Sequence, residues 1–448
     1  MDVVESRADF TAPPRHMAWL GPLLLGLVLA VSGCSLMTSG AEVTLSPDGT
    51  WAAYVCAEQW DLPLPPENPT IRSKILVRWC TLERPEDYQE VEIGVFGKDW
   101  AGWHVKNRVH LALSPDNRYV AVASPLDLRL IDCTTKTGRT LTGQGEIVTS
   151  FIWLDKERLA YASCQSDTAK QQTSRTNFWQ QGVDQSFHER RLIFAEDSES
   201  CSERGLGSPE WPRERWSPDG AFVLFKTRAF RGELKLLDVA TRTAKVIGSR
   251  DYNFEGISWK SDSSEVVCVG SKRGSPARAF LLNPRTLEEH DFSDEFNAAF
   301  VNDSGYRVPP IVPIWTPDDR YFIVNHSKKG GCLVSPRPWK VIPIARLLID
   351  DIVRDRSLVL MEDTTKRPPW IFRQPAQGWV RVWVQFQEKG YPRGMDYLVD
   401  YSARVFVAFA ESSSPGDGWK LTPNGKRAVR LASPCKLVVR AVSLPSSD

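Results

Sequence analysis

Apolar residues occur along the chain in short, nearly continuous runs, and most runs directly follow a polar turn. Leu- and Ala-rich helical stretches are scarce after the N-terminus. Near-continuous apolar runs indicate strands that are buried on both faces, so the pattern predicts an all-β chain. The runs that follow a turn are Trp51–Val55, Tyr119–Ala123, Leu159–Tyr161, Phe222–Phe225, Val266–Val269, Tyr321–Val324 and Arg427–Leu431.

A short signature precedes these runs, and its fullest form is the Trp-Ser-Pro-Asp-Gly of Trp216–Gly220. Proline cannot donate to a ladder and so ends a strand, and Asp with Gly or Asn forms the turn. We expect the leading Trp to pack between sheets and the Asp to cap the turn. Copies about 40 to 70 residues apart are typical of propeller repeats. They are Leu45–Gly49, Leu113–Asn117, Trp153–Lys156, Trp216–Gly220, Trp259–Ser263, Trp315–Asp319 and Leu421–Gly425, with a degenerate copy at Val353–Arg356.

A second hairpin often follows the first within a repeat. Leu128–Asp132 leads through a polar turn to Arg139–Leu141, and Leu234–Asp238 leads in the same way to Ala244–Ile247. Two hairpins make four antiparallel strands, which is one propeller blade. The copies therefore predict a propeller of seven or eight four-stranded blades.

The Ser-Pro-Asp-Gly turn, its buried strand and the following Leu-Leu-Asp hairpin resemble the WD40-like propeller repeats of the TolB type. The resemblance covers most of the chain after residue 42 and implies the fold rather than an activity, because propellers host many functions. The first repeat begins some ten residues after Cys34, so we expect no N-terminal α/β domain of the kind that TolB has. We predict a single propeller domain at 43–448.

The N-terminus carries the one long apolar run, Ala18–Val31, which has the length of a signal-peptide core. The following Val31–Cys34 resembles the lipobox of bacterial lipoproteins, which implies a signal peptide at 1–33, lipid on Cys34 and a short tether at 34–42. An ordinary secretory signal with an incidental Cys is the alternative, and either Met1 or Met17 could be the start. The lipobox implies a cell-envelope location, and Ser35 resembles an outer-membrane address, facing the periplasm, if the organism is Gram-negative.

The charge balance and the cysteine positions bear on nucleic-acid binding, disulfides and metal sites. Lys and Arg number 56 against 55 Asp and Glu, a balance that does not favour nucleic-acid binding. An oxidising compartment permits disulfides, and two pairings are candidates: Cys56 with Cys80 on neighbouring strands, and Cys164 with Cys201 across a polar insertion. Buried free thiols are the alternative. No C-x-x-C spacing occurs, so we expect no metal site.

No catalytic motif is present, so an enzyme is the less favoured class, and we expect no cofactor. Propeller loops carry binding, and exposed aromatic residues beside Arg suit a protein or glycan partner. We therefore predict a membrane-anchored binding or scaffold lipoprotein. The alternative is a propeller lyase or glycosidase with its site in the central channel. The candidate partner-binding residues are Trp60, Phe178, Trp179, Arg190 and Arg191.

Overall fold

The fold is seen in a computed structural model of the chain. The predicted signal peptide, Cys34, Cys201 and the degenerate repeat copy lie outside the residues that it describes. The structure describes 37–61, 71–96, 109–124, 127–143, 146–166, 173–199, 215–227, 232–272, 275–300, 313–316, 319–326, 330–343, 370–376, 379–388, 391–400, 406–412, 419–423, 426–432 and 435–442.

The described strands form eight antiparallel sheets, and within each sheet the strands lie in chain order. The first sheet contains β1 (Met37–Leu45), β2 (Trp51–Asp61), β3 (Ile71–Thr81) and β4 (Gln89–Phe96). The second contains β5 (His110–Leu113), β6 (Tyr119–Ala123), β7 (Leu128–Asp132) and β8 (Thr137–Thr140). The third contains β9 (Glu146–Trp153), β10 (Arg158–Ser166), β11 (Thr173–Gly182) and β12 (Arg191–Glu199), with a 3₁₀ turn at Phe187–Glu189. The fourth contains β13 (Arg215–Trp216), β14 (Phe222–Lys226), β15 (Leu234–Asp238) and β16 (Thr243–Gly248).

The second half of the chain repeats this arrangement. The fifth sheet contains β17 (Asn253–Trp259), β18 (Val266–Lys272), β19 (Ser275–Leu282) and β20 (Glu289–Asp291), followed by α1 (Ser293–Phe300). The sixth contains β21 (Ile314–Trp315), β22 (Phe322–His326), β23 (Gly330–Pro336) and β24 (Trp339–Pro343). The seventh contains β25 (Trp370–Ala376), β26 (Trp379–Glu388), β27 (Tyr391–Asp400) and β28 (Phe406–Ser412). The eighth contains β29 (Lys420–Leu421), β30 (Arg427–Ala432) and β31 (Lys436–Ala441).

The signature turn is held by its buried Ser or Thr. Ser217 Oγ accepts a hydrogen bond of 2.9 Å from the backbone N–H of Phe222, the first residue of β14. Ser217 also donates to Asp219, and Gly220 takes the left-handed conformation at φ 68° that favours glycine. The hydroxyl therefore fixes where the next strand starts. The same bond is made by Ser46, Ser114, Thr316 and Thr422.

The signature Trp residues join each sheet to the sheet before it. The indole Nε1 of Trp153 donates to the carbonyl oxygen of Ala112 on β5, at 3.2 Å. Trp216, Trp259 and Trp315 donate in turn to Ser150, Arg215 and Ser258, each on the first strand of the preceding sheet. The predicted packing role of these residues between sheets is confirmed by these bonds.

Successive sheets pack face to face around a closed circuit. Separate apolar clusters join the first sheet to the second, and so on through the sixth. β25 of the seventh sheet lies beside β23 and β29, and another cluster joins the eighth sheet back to the first. First strands of neighbouring sheets lie beside each other, as β9 and β13 do, so they form the inner ring. This circuit of antiparallel sheets, seven with four described strands and one with three, is a β-propeller-type fold.

Strand β1 begins at Met37, within the segment 34–42 that the sequence assigns to a tether. In the described part of the chain, no helix has both the length and the apolar character that a membrane span requires.

Candidate binding site between the second and third sheets

The predicted partner-binding residues lie at different depths in the fold. Trp60 is on β2, where its backbone pairs with Arg72, and its side chain lies outside the described residues. Phe178 is fully buried, Trp179 and Arg190 are partly buried, and Arg191 is exposed. Among these candidates, the structure brings Trp179 and Arg190 into contact, and Arg191 follows Arg190 as an exposed residue.

The expectation that Phe178 is exposed to a partner is wrong. Its ring lies 5.0 Å from that of Phe225 and 6.1 Å from that of Trp216, in the core between the third and fourth sheets. Neighbouring residues of a strand point to opposite faces, so Trp179 packs toward the second sheet instead. Phe178 is a core residue because the strand is buried on both faces.

Trp179 and Arg190 belong to a buried ionic network. The guanidinium of Arg190 lies 3.7 Å from the centroid of the Trp179 ring. Its Nη1 donates to Glu146 Oε2 at 2.6 Å, and the side chains of Arg190 and Glu146 are only 13% and 6% exposed. Glu146 starts β9, on the inner ring. Both charges are largely removed from water, so each would be strongly destabilising without the other. The two groups therefore stay paired.

Hydroxyl groups complete the network. Ser163 Oγ donates to Glu146 and accepts from Trp179 Nε1 at 2.9 Å. Arg190 Nη1 also donates to the phenol oxygen of Tyr161 at 3.1 Å. Burial raises the pKa of Tyr161 to about 12, although the nearby Arg190 opposes the rise. Tyr161 therefore stays neutral over the physiological range of pH.

The connection from β11 to β12 reaches across to the second sheet. The guanidinium Nη1 of Arg139 on β8 donates to the carbonyl oxygen of Gln185 at 2.6 Å. Gln181 Nε2 donates to the carbonyl oxygens of Gln185 and Ser186, which holds the connection against its own sheet. The connection is thus tied at both sides and frames a groove between the two sheets.

The groove has a volume of about 340 Å³. Its lining is mixed, with an aromatic ring, two apolar side chains, two carboxylates and one guanidinium. Arg139 Nη2 is buried and makes no hydrogen bond within the described part of the chain. A buried guanidinium nitrogen without a partner is costly, and Arg139 is also one of the residues that line the groove. The main lining residues are Tyr119, Leu130, Asp132, Thr137, Arg139, Val183 and Asp184.

Strand β12 exposes an apolar residue next to a cation in sequence. Leu192 on β12 is 40% exposed and lies opposite Trp179 in the register, so both side chains are on the face toward the second sheet. Arg191 precedes it and is exposed. We call Arg139, Leu192 and the groove between the second and third sheets the inter-sheet site.

Sequence reasoning missed most of this site. Glu146 follows a Gly-rich turn at the start of a strand, and an acidic residue in a strand that is otherwise apolar is the one signal of a buried ion pair. Arg139 carried no signal, since a basic residue on a short outer strand is ordinary.

The structure contradicts the first of the two expected disulfides. Cys56 and Cys80 are both free, so the expected bridge between them is not formed. Cys56 pairs in register with Leu76 and Cys80 pairs with Ala52, which puts the two cysteines four residues apart along the strands, about 13 Å. A disulfide needs Cα atoms roughly 4.4–6.8 Å apart. Cys164 is disulfide-bonded, and its partner lies outside the described residues. The pairing with Cys201 stays a prediction.

Two observations concern metal binding and histidine chemistry in the described part of the chain. Among the described residues, no group of three or more His, Cys, Asp or Glu side chains could hold a metal ion. His110 lies at the start of β5 on the inner ring, where burial lowers its pKa to about 4. Its imidazole is therefore neutral at neutral pH.

Comparisons with known proteins concern the fold only. No family model and no curated protein matches the chain. Among solved structures, an oligogalacturonate lyase from Vibrio parahaemolyticus is 11% identical over 90% of each chain, with a TM-score of 0.45. TolB from Acinetobacter baumannii is 13% identical over 72% of each chain, with a TM-score of 0.33. A puromycin-hydrolysing peptidase from Mycobacterium tuberculosis is 17% identical with a TM-score of 0.40. The match covers 68% of this chain but only 44% of the peptidase.

Proposed function

We propose that the chain is a cell-envelope lipoprotein whose propeller has eight blades and holds a protein partner at the inter-sheet site. The lipid on Cys34 fixes the propeller to the membrane, and two or more acyl chains make that anchor stable. The propeller then serves as a binding or scaffold module rather than as a catalyst.

The exposed apolar residue of the inter-sheet site carries the proposal. Leu192 is a large apolar residue, 40% exposed, on the face of the third sheet that is turned toward the second sheet, and the exposed Arg191 precedes it on β12. An apolar anchor with a neighbouring Arg is a composition enriched at protein interfaces. The groove is large enough for a side chain of a partner, and Arg139 offers its donor to a carbonyl or carboxylate there.

The bonds that hold the connection beside the groove also support the proposed binding role. The connection that frames the groove is bonded to Arg139 of the second sheet and to Gln181 of the third. The buried pair of Arg190 and Glu146 then locks the end of this connection to the inner ring. A surface held in this way loses little conformational freedom when a partner binds.

A pull-down from envelope membranes tests the binding role. We expect the wild-type propeller to recover a specific protein, and Leu192→Asp to lose it because the substitution places a charge in the apolar contact. Val246→Asp is the matched control, since Val246 is 55% exposed on β16, the outermost strand of the next sheet. Equal recovery by both variants would count against the site. Recovery of a glycan instead of a protein would reassign the partner class.

Mass spectrometry of the mature N-terminus tests the anchor. We expect a diacylglyceryl-modified Cys34 at the new N-terminus and loss of membrane association in Cys34→Ala. An unmodified Cys34 in a membrane-free protein would contradict the anchor and leave the binding role untouched.

A further inference from the structure

Two thiols meet where the end of the chain packs against its beginning. Cys56 lies in the middle of β2, and Cys435 directly precedes β31. Both are buried, at 0% and 3% exposure. The thiol of Cys56 donates to the carbonyl oxygen of Cys435 at 3.9 Å and is also hydrogen-bonded to the Cys435 thiol. The residues are 379 positions apart, so only closure of the ring brings them together.

The contact lies inside the apolar cluster that joins the eighth sheet to the first. Beyond that cluster, few direct polar links cross the junction in the described residues. Lys420 Nζ donates to the carbonyl oxygen of Val43 at 2.5 Å, and Arg427 lies 3.8 Å from the carboxylate of Glu83. The side chains of the cluster include Val43, Ala52, Tyr54, Cys56, Leu76, Cys80, Leu82, Val429, Cys435 and Leu437.

A cation and a backbone donor stand beside the thiols. Arg78 Nη1 lies 3.6 Å from Cys56 Sγ, and the same guanidinium pairs with Glu90 and Glu58. The backbone N–H of Ala57 donates to the Cys435 thiol. The hydrogen bond from Cys56, together with these groups, lowers the pKa of Cys435. Cys435 is thus the thiol whose nucleophilic thiolate form is favoured.

Packing alone does not account for this pair. Cys80 in the same cluster and Cys268 in the fifth sheet are buried free thiols, and they serve as small apolar residues. Cys56 and Cys435 differ because each thiol contacts the other across the junction. A pair of mutually hydrogen-bonded thiols needs little rearrangement to form a disulfide.

We propose that Cys56 and Cys435 form a disulfide that fastens the last sheet of the ring to the first. The thiolate of Cys435 attacks one sulfur of an external disulfide, and one thiolate of that reagent leaves. Cys56 then loses its proton to solvent and attacks the Cys435 sulfur of the mixed disulfide, which releases the second thiolate. Two cysteine thiols are oxidised, and the external disulfide is reduced to two thiols.

The bond would close a loop that contains nearly the whole propeller. Such a link removes much of the freedom of the unfolded chain and prevents the ring from opening at its one non-sequential junction. The inference rests on the junction alone and holds whether or not the inter-sheet site binds a partner.

Oxidation of the full chain by oxidised glutathione tests the proposal. The protein is purified in reductant, oxidised, alkylated and digested without reduction. We expect a linked pair of peptides that contain Cys56 and Cys435, and a rise of roughly 5 °C in the unfolding midpoint relative to the reduced protein. Cys56→Ala and Cys435→Ser should each lose the linked peptides and the rise, whereas Cys80→Ala should keep both.

Other oxidation products would overturn it. A link between Cys56 and Cys80, glutathione retained on Cys435 alone, or no loss of thiols in the folded chain would each show that the pair does not form the bond. If Cys435→Ser fails to fold, Cys56→Ala provides the same comparison, because alanine only shortens a buried side chain on β2.

Discussion

The third and fourth sheets are neighbours with the same topology, but their interiors differ. The fourth sheet is a regular repeat, with short strands β13–β16, the complete signature Trp216–Gly220 and an apolar interior. The third has longer strands β9–β12, lacks the proline and glycine of the signature, and buries an ion pair. Where the repeat pattern is weaker, as in the third sheet, polar contacts between side chains contribute more to holding the strands together.

The largest expected effect is in the buried network of the third sheet. Glu146→Ala leaves the charge of Arg190 buried without its partner, so we expect a loss of about 3–5 kcal/mol in the free energy of unfolding. Denaturant unfolding measures it. Glu196→Ala is the control, because the Lys235–Glu196 pair, which links the third and fourth sheets, is more exposed, at 17% and 23%, and should cost at most about 1 kcal/mol. Equal losses would remove the distinction between the two kinds of pair.

The signature turn of the fourth sheet should give the next effect. A Cβ on Gly220 would lie 2.0 Å from Leu154 Cδ2 of the third sheet, at a φ of 68°. We expect Gly220→Ala to cost roughly 2–4 kcal/mol, from the clash and the left-handed backbone together. Thermal or denaturant unfolding measures the loss.

Two further variants separate these causes. In a Leu154→Ala background the clash is relieved, so Gly220→Ala should cost less. Gly138→Ala, whose Cβ would meet only Ile131 at 3.8 Å, should be nearly neutral. An undiminished cost in the Leu154→Ala background would assign the whole effect to the backbone.

A smaller effect is expected at Tyr161. Tyr161→Phe removes the hydrogen bond from Arg190 and the longer ones that the phenol makes with Leu141 and Gln181, and it should cost about 1 kcal/mol at neutral pH. Because the folded-state pKa of Tyr161 is raised to about 12, its contribution is complete below pH 10 and is lost as the pH rises through 12. Unfolding at pH 8 and pH 11 should show that the variant loses less stability than the wild type. Equal alkaline losses would contradict the burial of a neutral phenol.

The smallest effect should be common to both sheets. Burial favours a higher pKa for Asp219, but hydrogen bonds from Ser217, the N–H of Ala221 and Ser263 outweigh it and lower the pKa. Its contribution is therefore present above pH 3.8 and is lost as the pH falls through the lowered value. We expect Asp219→Asn to cost less than about 1 kcal/mol near pH 5 and nothing at strongly acid pH. Asp155→Asn in the third sheet should behave alike, and acid unfolding curves compare the two.

Much of the fold could be predicted from the repeats, but less of the site. The signature located the turns, and the Trp positions indicated packing between sheets, because both depend on local sequence. The hydrogen bond from the Phe222 N–H to the Ser217 hydroxyl was not predicted, because nothing in the sequence distinguishes a buried turn serine from an exposed one. Phe178 was misplaced because a strand buried on both faces gives no alternation from which to choose an exposed side.

That this chain forms many similar antiparallel sheets is already encoded in its local sequence, because turn chemistry and apolar runs act over a few residues. The contacts between distant groups follow from the three-dimensional arrangement: Arg190 with Glu146, Arg139 with the connection of the next sheet, and Cys56 with Cys435. These contacts depend on how strands pair within a sheet and on how whole sheets stack around the ring. A local sequence pattern covers only a few residues, so it does not indicate which side chain of a distant strand or sheet will lie opposite.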